Sequence, residues 1–527
     1  MRDRRPRSLG FSADRRALLL GLAGTGVAAL SHPRSARAAA ALRFDADPFT
    51  LGVASGYPGP TAIVLWTRLA PEPTAPGGGM PERVVPVRWE LSSDETFRRL
   101  IRSGTAYAEP EWAHSVHVEL DGLQPATNYW YRFQAGNARS ATGRTRTAPA
   151  PGAENARMRI AVASCQQYEH GYYAAYRHML EDNLDLVLHV GDYIYEASWG
   201  RDLVRSHGSP ECYTLDDYRA RHALYRTDRD LAAAHAACPW MVTWDDHEVD
   251  NDYAGAVSEE DDVPELFLAR RAAAYQAYYE HMPLPRRAVP FGASMRLYTS
   301  RAFGSLASVY MLDERQYRSP QACPRPGRRG ANRVRDCAEL AAPDRTKLGP
   351  QQERWYEAQL TASKSLWNLT AQGTVVAFLD ELPGPGEQFW TDAWNGYPVA
   401  RQRLLDATER SGAKNPVLLS GDIHAFLASN LNRDPADPGS PVIAAEFTTT
   451  SISSQALPQL ELDKRRQENP SVVWANSERR GYLRLDLDRE RLRADLVAID
   501  SVTRPDAGHS VQASFVVEAG QPGVKPG

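Results

Sequence analysis

The stretch LDLVLHVGDYIYE, residues 184–196, decides the fold. Its first seven residues make a strand-like apolar run, and the run stops at Gly191-Asp192, where a carboxylate follows a turn residue. A short apolar run closed by a turn signal reads as a buried strand. The same grammar recurs on both sides. MRIAVAS (158–164) runs into Cys165-Gln166, WMVTW (240–244) into Asp245-Asp246-His247-Glu248, and PVLLS (416–420) into Gly421-Asp422-Ile423-His424. TVVAFL (374–379) and VIAAEF (442–447) read as further strands, while GYYAAYRHMLED (171–182) and FLARRAAAYQAYYEHM (267–282) read as helices. Strands alternating with helices predict an α/β fold, a parallel or mixed sheet with helices on its faces.

Upstream the rhythm differs. AIVLWTRL (62–69), VVPVRWELS (84–92), HSVHVELDGL (114–123) and NYWYRFQAG (128–136) are short runs between turns, which predicts a small antiparallel sandwich over 44–147. Leu123-Gln124-Pro125-Ala126-Thr127-Asn128-Tyr129-Trp130-Tyr131 resembles the turn-and-strand of fibronectin-type sandwiches. TAPAPGAENAR (147–157) reads as a linker, 157–505 as the catalytic domain, and 506–527, ending in GQPGVKPG, as a C-terminal tail.

The N-terminus reads as an address. Arginines between Arg2 and Arg7 and the pair Arg15-Arg16 precede the weakly polar run Ala17–Leu30, followed by Ala36-Arg37-Ala38 and Ala38-Ala39-Ala40. That order is a secretory signal peptide, placed at 1–38, and the paired arginines resemble a twin-arginine signal. An ordinary export signal or an uncleaved anchor is the alternative. The chain is therefore expected to use the twin-arginine export machinery and to work secreted, in the periplasm or at the cell wall.

The 527 residues carry 61 basic and 65 acidic side chains, a net charge of −4. Loss of 1–38 removes eight arginines and two aspartates, leaving −10. No basic excess points to nucleic acid, and no later segment is apolar enough for a membrane anchor, so neither partner is expected, and a monomer is. The 43% hydrophobic and 24% charged content excludes disordered and coiled-coil classes. Five cysteines are an odd number. In an oxidising compartment Cys323 and Cys337, which bracket PRPGRRGANRVRD, are expected to pair, and Cys212 with Cys238 as well. Cys165 is left over.

In open α/β sheets, sites form at the carboxyl ends of strands. Singly, each strand-end residue has a bland reading: Cys165 a core thiol, Asp192 a helix cap, Tyr195 packing, the 245–248 cluster a solvated acidic turn, His424 a core histidine. Together they place thiol, phenol, carboxylate and imidazole donors on one rim, and a cluster of acids without cations would repel itself. That combination points to a metal centre.

Gly-Asp-x-x-Tyr (191–195), Asp-Asp-His-Glu (245–248) and Gly-Asp-x-His (421–424) resemble the motifs of calcineurin-like metallophosphoesterases. With Ser-Cys-Gln (164–166), HVGDYIYE, TWDDHEVDNDYAG, FTLGVASGYP (49–58), DAWNGYPVARQRLL (392–405) and RGYLRLDL (480–487), the resemblance is to PhoD-type alkaline phosphatases. It implies a four-layer metallophosphoesterase sandwich of mixed sheets flanked by helices, behind an N-terminal β-sandwich. It implies Asp192 as the bridge between two metals, Cys165, Tyr195 and His424 on Fe3+, and Asp422 with Asp245 or Asp246 on Ca2+. His247 would face the phosphate and serve the leaving group. Arg315, in LDERQYR (312–318), is a candidate phosphate clamp, with a structural ion pair as its alternative. Asn395 and Asp252 depart from the family pattern. The expected activity is hydrolysis of phosphate monoesters, diesters or both by a metal-activated water. The rival is a phospholipase D-like diesterase acting on phospholipid headgroups, and a distant one a non-catalytic extracellular binding protein. The 196–239 and 254–300 insertions are expected to shape the mouth of the site.

Overall fold

Alternation along Pro416–Ser420 sets the layers. Val417 and Leu419 pack into the large core with Ile160, Val162, Val187 and Leu188, whereas Leu418, between them, packs with Tyr356, Leu360 and Leu404. Successive strand side chains point to opposite faces, so this strand meets a second sheet on one side and helices on the other. The computed structural model describes residues 42–527. The signal peptide and paired arginines expected at 1–38 lie outside them.

Two mixed sheets face each other. In the larger, Met158–Ala163, Leu186–His189 and Trp240–Val242 run parallel and adjacent, with Val53–Gly56 beyond them. In the other, Ala307–Met311, Trp367–Ala371, Pro416–Ser420 and Val442–Thr448 run parallel. Helices Pro350–Ala362 and Pro398–Arg410 supply Tyr356, Leu360, Leu404 and Leu405 to the outer face of the second sheet. Ala174–Met179 and Arg229–Ala237 cover the first. The layers are helix, sheet, sheet, helix, as expected.

The N-terminal β-sandwich is present. Leu100–Ala108, Val85–Ser92, Asn128–Ala135 and Gly143–Arg146 form one antiparallel sheet. At its corner the backbone N–H of Gln124 donates to the Tyr129 hydroxyl at 2.9 Å. Its other strands, Val53–Gly56, Ile63–Arg68 and Ser115–Leu120, continue the large catalytic sheet through Gly56 opposite Trp240. Residues 43–527 are one compact unit.

Three expectations need correction. The tail is not an appendage: His509–Glu518 pairs with Arg491–Ile499 and Gln521–Pro526 pairs with it in turn, completing one edge of the large sheet. TVVAFL is not a strand; the strand lies just before it, at Trp367–Ala371. The backbone N–H groups of Val376 and Ala377 donate instead to the buried carboxylate of Glu446, at 2.9 and 2.8 Å, which draws the chain out of the ladder. Cys323 and Cys337 are joined, but Cys212 and Cys238 are separate buried thiols packed into the core.

Candidate metal centre

The turns after the strands bring the expected residues together. Gly421, at the end of its strand, lies against Ser164 in the other sheet, where a Cβ would come within 2.3 Å of the Ser164 hydroxyl. Cys165, Asp192, Asp422 and His424 all adopt left-handed backbone, with φ of 57°, 55°, 64° and 56°. Non-glycine residues hold that conformation at a cost of about 1–3 kcal/mol each, and such sites cluster where side chains are aimed for function.

Cys165, Asp192 and His424 each place a donor atom within 4.8 Å of the other two, and so do Asp192, Asp246 and His247. Asp192 belongs to both groups. Tyr195 joins the first: its hydroxyl donates to Asp192 Oδ2 at 2.9 Å and lies 3.2 Å from His424 Nε2. The His424 Nδ1–H donates to the carbonyl of Gln455, so Nε2 presents a lone pair to the cluster. His247 is oriented likewise, Nδ1 lying 2.7 Å from Glu196 Oε2 and the ring 4.2 Å from that of Tyr195.

The electrostatics call for cations. Asp192 Oδ1 is buried without a hydrogen-bond partner. Burial, with Asp246, Asp245 and Glu248 nearby, holds the Asp192 carboxyl far above the usual range, despite the pull of His247. Burial and surrounding aspartates do the same to Asp422. Burial, then Asp192, push the Cys165 thiol and the Tyr195 phenol up. Burial opposes charge on His247, but Glu196, Asp246 and Asp192 outweigh it and hold the imidazole well above its ordinary value. Two carboxyls, a thiol and a phenol resist ionising here unless positive charge sits among them, which is what a metal centre supplies. The donor set therefore fits metal.

These residues floor an open cavity of about 690 Å³. Asp192, Asp246, His247, Asp422 and His424 lie at its base, while Arg325, Arg328 and Arg333, from the disulfide-closed segment, stand on the wall. The 196–239 and 254–300 segments contribute, through Trp199, Tyr213, Glu259 and Arg270. The disulfide-closed segment was not foreseen as part of the mouth.

Two expected residues sit elsewhere. Arg315 is fully buried and pairs with Asp245 and Asp392, at 2.8 Å to the latter, so it is a structural ion pair and not a clamp facing the cavity. Asp245 is held by that guanidinium and does not line the cavity. Of the two adjacent aspartates, Asp246 is the one that does.

Sequence reading missed others. Asp252 and Asp392 each bring a carboxylate within 4.8 Å of Asp246. Asp252 departs from the family pattern, and Asp392 follows the strand Phe389–Trp390, whose two residues are too few to read as a strand in sequence. Asn395 is structural, accepting from the N–H of Leu379 at 3.1 Å. Glu248 joins two turns by accepting from the N–H groups of Asp192, Tyr193 and Asp245. Ser454, 2.9 Å from the Tyr195 hydroxyl, comes from a buried Ser/Thr run that reads in sequence as a polar loop.

The family model of the PhoD-like phosphatase matches residues 160–496, and that of the PhoD-like phosphatase N-terminal domain matches 34–149. The chain belongs to the PhoD-like phosphatase family. It is 47% identical to alkaline phosphatase D of Bacillus subtilis (strain 168) over 494 residues, 92% of this chain and 83% of that protein. A solved structure of PhoD superposes with a TM-score of 0.88 at 46% identity, covering 92% of this chain and 93% of that one. A purple acid phosphatase from yellow lupin shares the fold at 11% identity, with a TM-score of 0.55 over 88% of this chain and 74% of its own. This PhoD-like phosphatase is therefore a hydrolase of phosphoric esters. The expectation of family, fold and enzyme class holds, and the non-catalytic binding protein is excluded.

Proposed function

We propose that the cavity holds a metal centre at which water hydrolyses phosphate monoesters, diesters or both. Cys165, Asp192, Tyr195 and His424 would hold Fe3+, and Asp246, Asp422 and the shared Asp192 would hold Ca2+, a hard cation suited to an all-oxygen set. The observation that carries this reading is Asp192, buried between two donor groups with one oxygen unpartnered. Bound there, the metals would acidify a water and neutralise the phosphoryl oxygens.

The chain's own part is orientation and proton transfer. Glu196 fixes the His247 ring and its Nδ1–H, leaving Nε2–H of the imidazolium to hydrogen-bond the phosphoryl group or protonate the departing alkoxide. The arginines on the wall would meet the anionic substrate before it reaches the floor. No serine nucleophile is invoked. Export by the twin-arginine route, with action outside the cytoplasm, belongs to the same proposal. Among the described residues no helix is long and apolar enough to cross a membrane.

The test is metal analysis with a visible spectrum on the purified enzyme. Activity is then compared on p-nitrophenyl phosphate, its bis-ester and a phosphatidylcholine. Iron with a tyrosinate-to-iron band is expected, and Cys165→Ala should lose both while keeping its far-UV spectrum. A fully active Cys165→Ala enzyme with unchanged iron would overturn the ligand set.

A further inference from the structure

Away from the cavity, the end of Ala174–Met179 and the 3-10 turn Leu180–Asp182 after it reach the strand His509–Glu518. There His178, Glu181 and His509 each put a donor atom within 4.8 Å of the other two. None of the three lines the catalytic cavity.

The decisive group is His178, which is 8% exposed. Its Nε2 lies 2.9 Å from the Ala507 carbonyl, which can only accept, so the proton of the neutral ring is on Nε2. Nδ1 then presents a lone pair. That atom is buried and has no hydrogen-bond partner, and it faces the Glu181 carboxylate at 3.5 Å, too far for a good hydrogen bond. The His509 ring stands 4.0 Å away, centroid to centroid. A buried lone pair aimed at an anion and a second imidazole is unfavourable as it stands. A cation at their meeting point resolves it.

We propose that His178 Nδ1, Glu181 and His509 form a second, non-catalytic site for a divalent transition metal of the zinc type. Two imidazoles and one carboxylate are a donor set that Zn2+ takes readily, with a water in the fourth position. The Nε2–H to carbonyl bond of His178 is the kind of outer contact that orients a metal-ligating histidine. The buried His178 is fixed, whereas the Glu181 side chain is 65% exposed and free to close on the ion. The ion would tie the helix following the Cys165 turn to the C-terminal strand. No residue of the catalytic centre takes part.

The experiment uses tag-free holoenzyme with its own metals, equilibrium dialysis against Zn2+, and elemental analysis of every metal before and after. The wild type is expected to take up one zinc per chain without losing iron or calcium, and its Tm to rise. His509→Gln and Glu181→Gln should lose that equivalent and the Tm response. Both should keep the zinc-free Tm and phosphatase activity of the wild type. Co2+ in place of zinc should give a d–d spectrum with nitrogen ligation that His509→Gln abolishes. Zinc uptake unchanged in both variants, uptake only by displacing the resident metals, or no uptake would each overturn the site.

Discussion

At the scale of single residues, charge decides what the centre tolerates. Arg315 is the counter-ion that lets Asp245 and Asp392 lie buried together, and Asp392 is also held by Arg318, so its carboxyl stays well below the usual range. Arg315→Ala would strand the buried Asp245 carboxylate, whose one guanidinium partner it is, while Asp392 keeps Arg318; a loss of about 3–5 kcal/mol, typical of breaking a buried ion pair, is expected by urea denaturation. Strand-end position made Cys165, Asp192, Asp246 and His424 legible in the sequence. Arg315 misled because a buried cation and a phosphate clamp are the same residue type, and only its depth separates them. His247 gives a pH test. Glu196 raises its pKa above the ordinary imidazole value, and activity requiring the protonated ring falls as pH rises through the raised value. Glu196→Gln removes the negative partner and should move the alkaline limb of the kcat profile to lower pH, while Glu196→Asp should move it less. An unmoved limb would deny His247 the role of acid.

At the scale of elements, the parallel strands were readable because apolar runs of this length have few other homes, but edges and loops depended on partners far away in the chain. TVVAFL looks like a strand by composition, and it is Glu446, some seventy residues on, that claims its N–H groups. The last residues read as a tail because GQPGVKPG lacks apolar period, yet Val524 N–H donates to Asn430 Oδ1 at 2.8 Å, and the strand bridges both sheets. Deleting 506–527 would expose the Arg491–Ile499 strand, whose buried Leu496, Val497 and Ile499 would face water beside an unpaired edge. The truncated enzyme is expected to aggregate on expression, as checked by size-exclusion chromatography of the soluble fraction. The Cys323–Cys337 bridge acts differently. It closes a 14-residue separation, which in the chain-entropy model stabilises by about 3 kcal/mol, and it holds the segment bearing Arg325, Arg328 and Arg333. Replacing both cysteines by serine should raise KM more than it lowers kcat, because the floor residues are untouched.

At the scale of the whole molecule, the same burial that makes the centre possible stores an acid sensitivity. His117 is pushed down to about 4, and His189 and His222 to about 3, each chiefly by burial. His281 is held neutral too: Nδ1–H donates to Ala277 while Nε2 accepts from Arg68 at 2.6 Å. The folded state refuses protons that the unfolded chain accepts near pH 6.5, so stability is full above that pH and falls as pH drops toward the folded values. Each such histidine costs about 1.4 kcal/mol per pH unit in that window, and three acting together approach roughly 4 kcal/mol per unit against a total of about 5–15. The fold should therefore fail cooperatively between pH 6.5 and 4, before Asp392, whose depressed pKa withdraws stability only as pH falls below about 4. His222 isolates the effect, since neither of its ring nitrogens has a partner and the ring stacks on His281 at 5.0 Å. His222→Phe keeps the stack and cannot take the proton. Urea midpoints measured at pH 7.5, 5.5 and 4.5 should fall less steeply in that variant than in the wild type, and parallel slopes would place the acid lability elsewhere.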